Sequence, residues 1–213
     1  MIMKINTQLI IGGLLCCIIA LVSGCASSQL FDIWSNSSYQ TLPLNKMLVI
    51  SVIKNMEHRR SWEDAFSAEL EKHNVAATPS YRLFPDVLPD TNQVIQAVQS
   101  NGFDGVLVTR WLPLDTKTHY MQGFGMDEDQ MTNEYNEKYF ASYFQDFNYA
   151  GNVDSQKVDI RVFDVWAIKN GKKMIWRAKS QSPEPNSLLK VRPEIVTLIV
   201  SKLTERGIIA SER

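Results

Sequence analysis

The sequence predicts an α/β fold: a three-layer or two-layer domain on a mixed sheet, with parallel core strands joined by helices, a late antiparallel hairpin and a C-terminal helix. Three observations predict it. Residues 46–53, KMLVISVI, and 105–114, GVLVTRWLPL, open as near-continuous apolar runs rich in β-branched residues, the composition of strands buried on both faces of a parallel sheet. Between them strand and helix patterns alternate, the order of two right-handed crossovers. Later, Asn170-Gly171 separates two strand-like runs, KVDIRVFDVWAI and KKMIWRAKSQS; the pair suits a type I′ turn, whose central residues both need positive φ.

The chain begins differently. Lys4 precedes an uninterrupted apolar stretch over 9–22, LIIGGLLCCIIALV, which has the order of an export signal. Its length of about fourteen residues falls short of a membrane span, which needs roughly 20. Residues 1–24 are therefore expected to be a signal peptide. Residues 25–45 follow, and the Ser- and Asn-rich ASSQLFDIWSNSSYQTLPLN reads as a tether. Leu30, Phe31, Ile33 and Trp34 are apolar enough to pack on the domain or to lie at a membrane interface.

One domain is expected over 46–213, long enough to bury its own core. After the first strand and the loop KNMEHRR, Ser61 with Asp64 three positions later signals a helix start. Trp62, Phe66 and Leu70, with Ala65 beside them, give the buried stripe, leaving Glu63, Glu69, Glu71 and Lys72 to water until a stop near Asn74. A second strand is predicted around 77–84, irregular at Pro79. Asp90 or Thr91 caps a second helix that turns Val94, Ile95 and Val98 inward and ends at Gly102. The third strand starts at Gly105.

Residues 115–152 break this rhythm. They hold Gly123, Gly125, the acidic triplet Asp127-Glu128-Asp129 and the aromatic run YNEKYFASYFQDFNY. As a helix the run would align Tyr135, Tyr139 and Tyr143 beside Phe140, Phe144 and Phe147; as strand or loop it would splay them, and the pattern leaves both open. Large tyrosine and phenylalanine side chains bury area at modest entropy cost, so Tyr135, Tyr139, Phe140, Tyr143 and Phe144 form the candidate partner surface. The alternative is a flap over the sheet. In the hairpin, Val158, Ile160 and Val162 alternate with Asp159 and Arg161 to give one dry face, and Trp166 and Trp176 are placed to approach across the sheet. The last helix starts at Pro193, buries Ile195, Val196, Ile199 and Leu203, and stops at Gly207.

Composition narrows the chemistry. A net charge of −1 over 213 residues gives no basic face for nucleic acid. Gly123-Phe124-Gly125 lacks a third glycine and the strand-to-helix context of a dinucleotide loop. His58, His73 and His119 lie far apart without metal-ligand spacing, the acidic triplet with Glu134 lacks the calcium-loop pattern, and no Gly-x-Ser-x-Gly occurs. His58-Arg59-Arg60 reads as ordinary surface charge before a helix, or as a contact for lipid phosphate or glycan carboxylate. No cofactor, metal or catalytic residue is expected.

The stretch LVSGC at 21–25 resembles the lipobox of bacterial lipoprotein precursors. That resemblance implies diacylglyceryl transfer to the Cys25 thiol, cleavage between Gly24 and Cys25, and acylation of the new amino terminus. Small neighbours such as Ser23 and Gly24 would admit the processing enzymes, and Ala26 after the cysteine implies delivery to the outer membrane. Cys16 and Cys17 would leave with the signal, so the mature domain would hold no free thiol.

The first strand, WEDAFSAELEKHNVAATPSY, NGFDGVLVTRW, and FDVWAIKNGKKMIWRAKSQS with the terminal helix resemble a group of bacterial envelope lipoproteins. More distantly they are similar to the curli-secretion lipoprotein, the TolB amino-terminal domain and outer-membrane activators of peptidoglycan synthases. These resemblances imply a periplasmic, lipid-anchored module that binds an envelope protein and is not an enzyme. An auxiliary lipoprotein that binds lipid for a transporter, and an envelope hydrolase, are the competing classes.

Overall fold

The structure is a computed structural model that describes residues 29–39, 42–112, 159–168, 173–182 and 193–210. Among the described residues six strands form one mixed sheet: β1 (Gln29–Ser35), β2 (Lys46–Val52), β3 (Ala76–Pro79), β4 (Gly105–Leu112), β5 (Asp159–Ala167) and β6 (Lys173–Ser182), in the spatial order β1-β6-β5-β4-β2-β3. The α-helices among these residues are α1 (Met56–Lys72), α2 (Thr91–Asn101) and α3 (Pro193–Glu205). Strand β2 is parallel to β3 and β4; the pairs β4–β5, β5–β6 and β6–β1 are antiparallel. The result is the open α/β fold predicted, with the late hairpin and the C-terminal helix in place.

Side chains alternate across each strand, so the sheet has two buried faces. On one, Met47, Val49, Leu107, Phe163 and Val165 pack with Trp62, Phe66 and Leu70 of α1 and with Ile195, Ile199 and Leu203 of α3. On the other, Leu48, Ile50, Val106, Val108 and Trp166 pack with Val94 and Val98 of α2. Helices therefore cover both faces, which makes the domain three-layered. The near-continuous apolar runs of β2 and β4 follow from that double cover: buried on both sides, such strands have few polar positions to spend.

Local signals explain most boundaries. Asp90 accepts from the backbone of Gln93 while Gln93 reaches back to the Asp90 N–H, a capping box that starts α2. Gly102, at φ 66°, ends it in the left-handed conformation that a glycine adopts without a Cβ clash. The start of α1 differs from expectation. Its cap is Asn55, whose Oδ1 accepts from His58 N at 3.1 Å, and Ser61 lies inside the helix with its hydroxyl donating to Glu57 O. Thus His58-Arg59-Arg60 is helical rather than a loop. Strand β3 is also shorter than predicted: it stops at Pro79, and a 3₁₀ turn, Ser80–Arg82, follows.

Two further readings change. A bulge between Val165 and Trp166 pairs Trp166 with Met174 and Trp176 with Val165. That irregularity sends the two indoles into the cores on opposite faces, so they do not meet. Arg161, expected on a polar face, is only 1% exposed. Residues 29–35, within the stretch read as a tether, form the edge strand β1, with Leu30 against the core and Trp34 against the opposite cluster. Packing on the domain, one of the two alternatives for these apolar residues, is what the strand does. The Asn170-Gly171 turn and the stretch 115–152 lie outside the described residues.

The sheet has two distinct ends. At one, β2 and β4 begin, β5 ends and β6 begins; there the Asp104 carboxylate accepts from Asn45 N and Lys46 N at 3.0 and 2.9 Å, fixing the start of β2. At the other lie the ends of β2, β3, β4 and β6 and the starts of β1 and β5. This second end holds the carboxyl ends of the parallel strands, the usual place for sites in α/β sheets.

Candidate functional site

Gly24, Cys25, Tyr135, Tyr139, Phe140, Tyr143 and Phe144 lie outside the described residues, as do His119, Gly123, Gly125, the acidic triplet and Glu134. Among the described residues most of the buried charges gather in two clusters that the sequence patterns did not single out, one where helix α1 meets the sheet and one on the strands.

The first cluster is built where α1 crosses the carboxyl end of β2. Arg59, Trp62, Glu63, Phe66 and Leu70 share one helical stripe, so the packing that buries Trp62 also buries Arg59 and Glu63, each to 0% exposure. Burial of an ion pair costs several kcal/mol per ion unless the remaining polar atoms find partners, and here they do. Glu63 Oε1 accepts from Ser51 N at 2.9 Å, Arg59 Nε at 3.0 Å and Ser80 Oγ at 2.6 Å; Oε2 accepts from Tyr81 N at 2.8 Å. Arg59 in turn donates through Nη1 to Phe84 O and Val87 O, at 3.1 and 2.7 Å, and through Nη2 to Ser80 Oγ at 2.8 Å. Helix α1, strand β2, the 3₁₀ turn and the loop at 83–87 are thereby held by one ion pair. Four donors converge on a carboxylate with no solvent access, so Glu63 is a strut rather than a general base, which needs a free lone pair within reach of substrate.

Arg161 belongs to the same face. Its guanidinium lies over the Trp62 ring, 4.3 Å from the centroid, and Nη1 donates to Thr109 Oγ1 at 3.2 Å. A cation on an indole face is well placed when it is removed from water, because the ring quadrupole replaces part of the lost hydration.

The second cluster occupies the opposite face, on the strands beyond α2. Asp164 is fully buried; its Oδ1 accepts from Arg177 Nε and its Oδ2 from Arg177 Nη2, the latter at 2.9 Å. Arg110 Nε stands 3.9 Å from Oδ2, and Lys179 Nζ meets Asp32 Oδ2 on β1 at 2.6 Å. The bidentate fork matches a planar carboxylate to a planar guanidinium across neighbouring strands. Arg110, Asp164, Arg177 and Lys179 thus tie β4, β5, β6 and β1 together.

Both clusters had a partial signal. Arg59 and Glu63 stand at i and i+4 beside the stripe marked by Trp62, Phe66 and Leu70, and Glu63, expected to face water, is instead fully buried with that stripe. Asp164, Arg177 and Lys179 break otherwise apolar strand runs, and only the strand pairing shows that they face one another. Neither cluster has the form of a metal site: among the described residues no three of His, Cys, Asp and Glu stand close enough to hold an ion. His58 and His73 stand at opposite ends of α1, and His73 Nδ1 lies 3.3 Å from Thr204 Oγ1. Among the described residues no helix is long and apolar enough to cross a membrane.

No family model matches the sequence, and no curated protein does. Among solved structures the chain is similar to the PelC dodecamer from Paraburkholderia phytofirmans, at 12% identity and a TM-score of 0.41, over 86% of this chain and 99% of that one. It is similar, too, to a variant PelC dodecamer from the same organism in another crystal form, at 12% identity and a TM-score of 0.41, over 85% of this chain and 99% of that one.

Proposed function

We propose that this chain is a lipid-anchored, non-enzymatic binding or assembly module of the bacterial cell envelope, facing the periplasm from the outer membrane. The observation that carries the reading is LVSGC at 21–25, which closes the apolar run at 9–22. Attack by the Cys25 thiolate on the glyceryl carbon of a membrane phospholipid would form a thioether and release the phosphate headgroup. Hydrolysis of the Gly24–Cys25 peptide bond would free the cysteine amino group, and transfer of a third acyl chain to it from a second phospholipid, leaving the lysolipid, would complete the anchor. Each buried methylene contributes about 0.8 kcal/mol, so several chains hold a soluble domain where one would release it. Confinement to the membrane plane raises the domain's effective concentration beside membrane-bound partners.

The partner on this reading is an envelope protein, met through Tyr135, Tyr139, Phe140, Tyr143 and Phe144. Mass spectrometry of the mature amino-terminal peptide tests the anchor: an acylated Cys25 is expected, and an intact 1–24 segment would sink the proposal. Crosslinking in cells tests the partner. Replacing Tyr139→Ser and Phe144→Ser together should leave the unfolding midpoint unchanged and abolish the crosslinked protein. Lost stability would mark those residues as cover for the sheet instead.

A further inference from the structure

Arg59 fastens the loop at 83–87 to α1 through Nη1. That nitrogen carries two hydrogens, and they go to Phe84 O at 3.1 Å and Val87 O at 2.7 Å. Within the loop, Leu83 N and Phe84 N donate to Ser80 O at 3.0 and 2.9 Å. A third acceptor stands beside the same nitrogen: Met56 Sδ, three residues before Arg59 on α1, lies 3.9 Å from Nη1. A thioether accepts weakly, so the reduced sulfur does not compete with two carbonyl oxygens for two hydrogens.

Met56 also differs in exposure from the other methionines among the described residues. Met47 is fully buried and Met174 is 4% exposed, one in each core of the sheet, whereas Met56, the first residue of α1, is partly exposed. Oxygen transfer to a methionine needs the oxidant to touch the sulfur, so the fold shields the first two and leaves the third open. We propose that Met56 is an oxidation site whose sulfoxide loosens the loop at 83–87 by drawing Arg59 Nη1 away from it. The oxidant is a peroxide. A sulfur lone pair attacks one oxygen of hydrogen peroxide, the S–O bond forms as the O–O bond breaks, and the departing hydroxide takes the proton left on the transferred oxygen and leaves as water. Sulfur is oxidised by two electrons and the peroxide is reduced. The product is polar where the side chain was apolar, and its S–O bond carries an acceptor across most of the gap to Nη1, into hydrogen-bond range. Nη1 has no third hydrogen to give. A bond to the sulfoxide is made at the expense of one already present, and the longer of the two, to Phe84 O, is the one that yields. Nε to Glu63 and Nη2 to Ser80 Oγ are untouched, so the buried ion pair survives. The change is confined to the loop, whose Asp86 and Val87 already face water, and it reverses when the sulfoxide is reduced.

Tryptic cleavage at Lys46, Lys54, Arg59, Lys173 and Arg177 puts Met47, Met56 and Met174 on different peptides. The folded full-length protein is treated with hydrogen peroxide, and the sulfoxide content of each peptide is followed by mass spectrometry. Met56 should be oxidised at least about tenfold faster than Met47 and Met174. Hydrogen exchange at Leu83 N and Phe84 N should then rise about two- to tenfold, the change that losing one hydrogen bond brings, and should fall back once methionine sulfoxide reductase has restored the thioether. Met56→Leu keeps the apolar volume and removes the sulfur; in that variant peroxide should leave exchange at both amides unchanged. Equal oxidation of the three methionines, or a Met56 sulfoxide without faster exchange, overturns the proposal. So does a rise that the reductase fails to reverse, or one that persists in Met56→Leu, since its cause would then lie outside Met56.

Discussion

The two halves of the sheet solve the burial of charge in opposite ways. In the parallel pair β2 and β3 no strand residue is a buried charge, and the charges enter from the helix: Glu63 sends its oxygens to two backbone N–H groups as well as to Arg59 and Ser80. In the antiparallel half the strands themselves carry the charge, and Asp164, Arg177 and Arg110 meet side chain to side chain. One carboxylate organises backbone, and the other links neighbouring strands. The difference decides how much each half should lose when a partner is removed.

The largest effect is expected from Glu63→Ala. It leaves Arg59 buried without its countercharge and strips acceptors from Ser51 N and Tyr81 N, so denaturant unfolding should show a loss of about 3–5 kcal/mol. A loss under about 1 kcal/mol, the range of an exposed pair, would mean that water reaches this cluster and would end the contrast between the halves. Arg177→Met is expected to cost less, about 1.5–3 kcal/mol. The methionine keeps the apolar stem, and Asp164 retains Arg110 at 3.9 Å as a second cation. Should Arg177→Met prove more damaging than Glu63→Ala in the same assay, the backbone contacts of Glu63 matter less than the strand-to-strand fork.

The seam between the halves is β4, which pairs with parallel β2 on one side and antiparallel β5 on the other. Gly105 sits on that seam, where a Cβ would come within 2.6 Å of Leu44 Cδ1 and 3.3 Å of the Trp166 carbonyl oxygen. Leu44 is itself buried and tied to the chain end through Leu44 N and Ile208 O at 2.8 Å. It has little room to yield, so Gly105→Ala should lower the unfolding free energy by about 1–3 kcal/mol. An unchanged midpoint would show that the seam can open by a few tenths of an ångström, and that the halves are less tightly joined than their pairing implies.

The same division governs what could be read in the sequence. Continuous apolar runs betrayed β2 and β4, and Asp90, one of the two candidate caps, and Gly102 marked the ends of α2, because each of these is a local signal. The start of α1 was misplaced because Ser61 and Asp64 have the composition of a capping box, whereas Asn55 precedes a first turn in which Met56 is followed by Glu57, His58 and Arg59. Strand β1 was hidden for a different reason. Its partner β6 lies far along the chain, Asp32 takes a positive φ of 52°, and the irregularity between Phe31 and Trp34 spoils the period-two pattern. Buried Arg161 read as solvent-facing, and Asp164 and Arg177 were not singled out, for the same reason: pairing across strands is not a local property. For a site the sequence offered the motif at Cys25 and the aromatic run with Tyr139 and Phe144, both outside the described residues, while the buried clusters required the fold.

The smallest effect probes the helix layer that bridges the halves, since α1 packs on the parallel strands and α3 follows the antiparallel hairpin. Glu69 on α1 accepts from Lys72 Nζ at 2.6 Å. That hydrogen bond, joined by one to Thr197 of α3, holds the Glu69 carboxyl below its ordinary value of 4.5 against the opposing influence of burial. The folded chain then binds fewer protons at this site than the unfolded chain between the lowered value and 4.5. Its contribution is complete above that window and is lost as pH falls through it. Glu69→Gln should accordingly flatten the decline of stability on acidification below about pH 4.5. An unaltered acid limb in the variant would place the tie between α1 and α3 in their apolar contacts alone, with Phe66 and Leu70 against Ile199 and Leu203 sufficient to join the two halves.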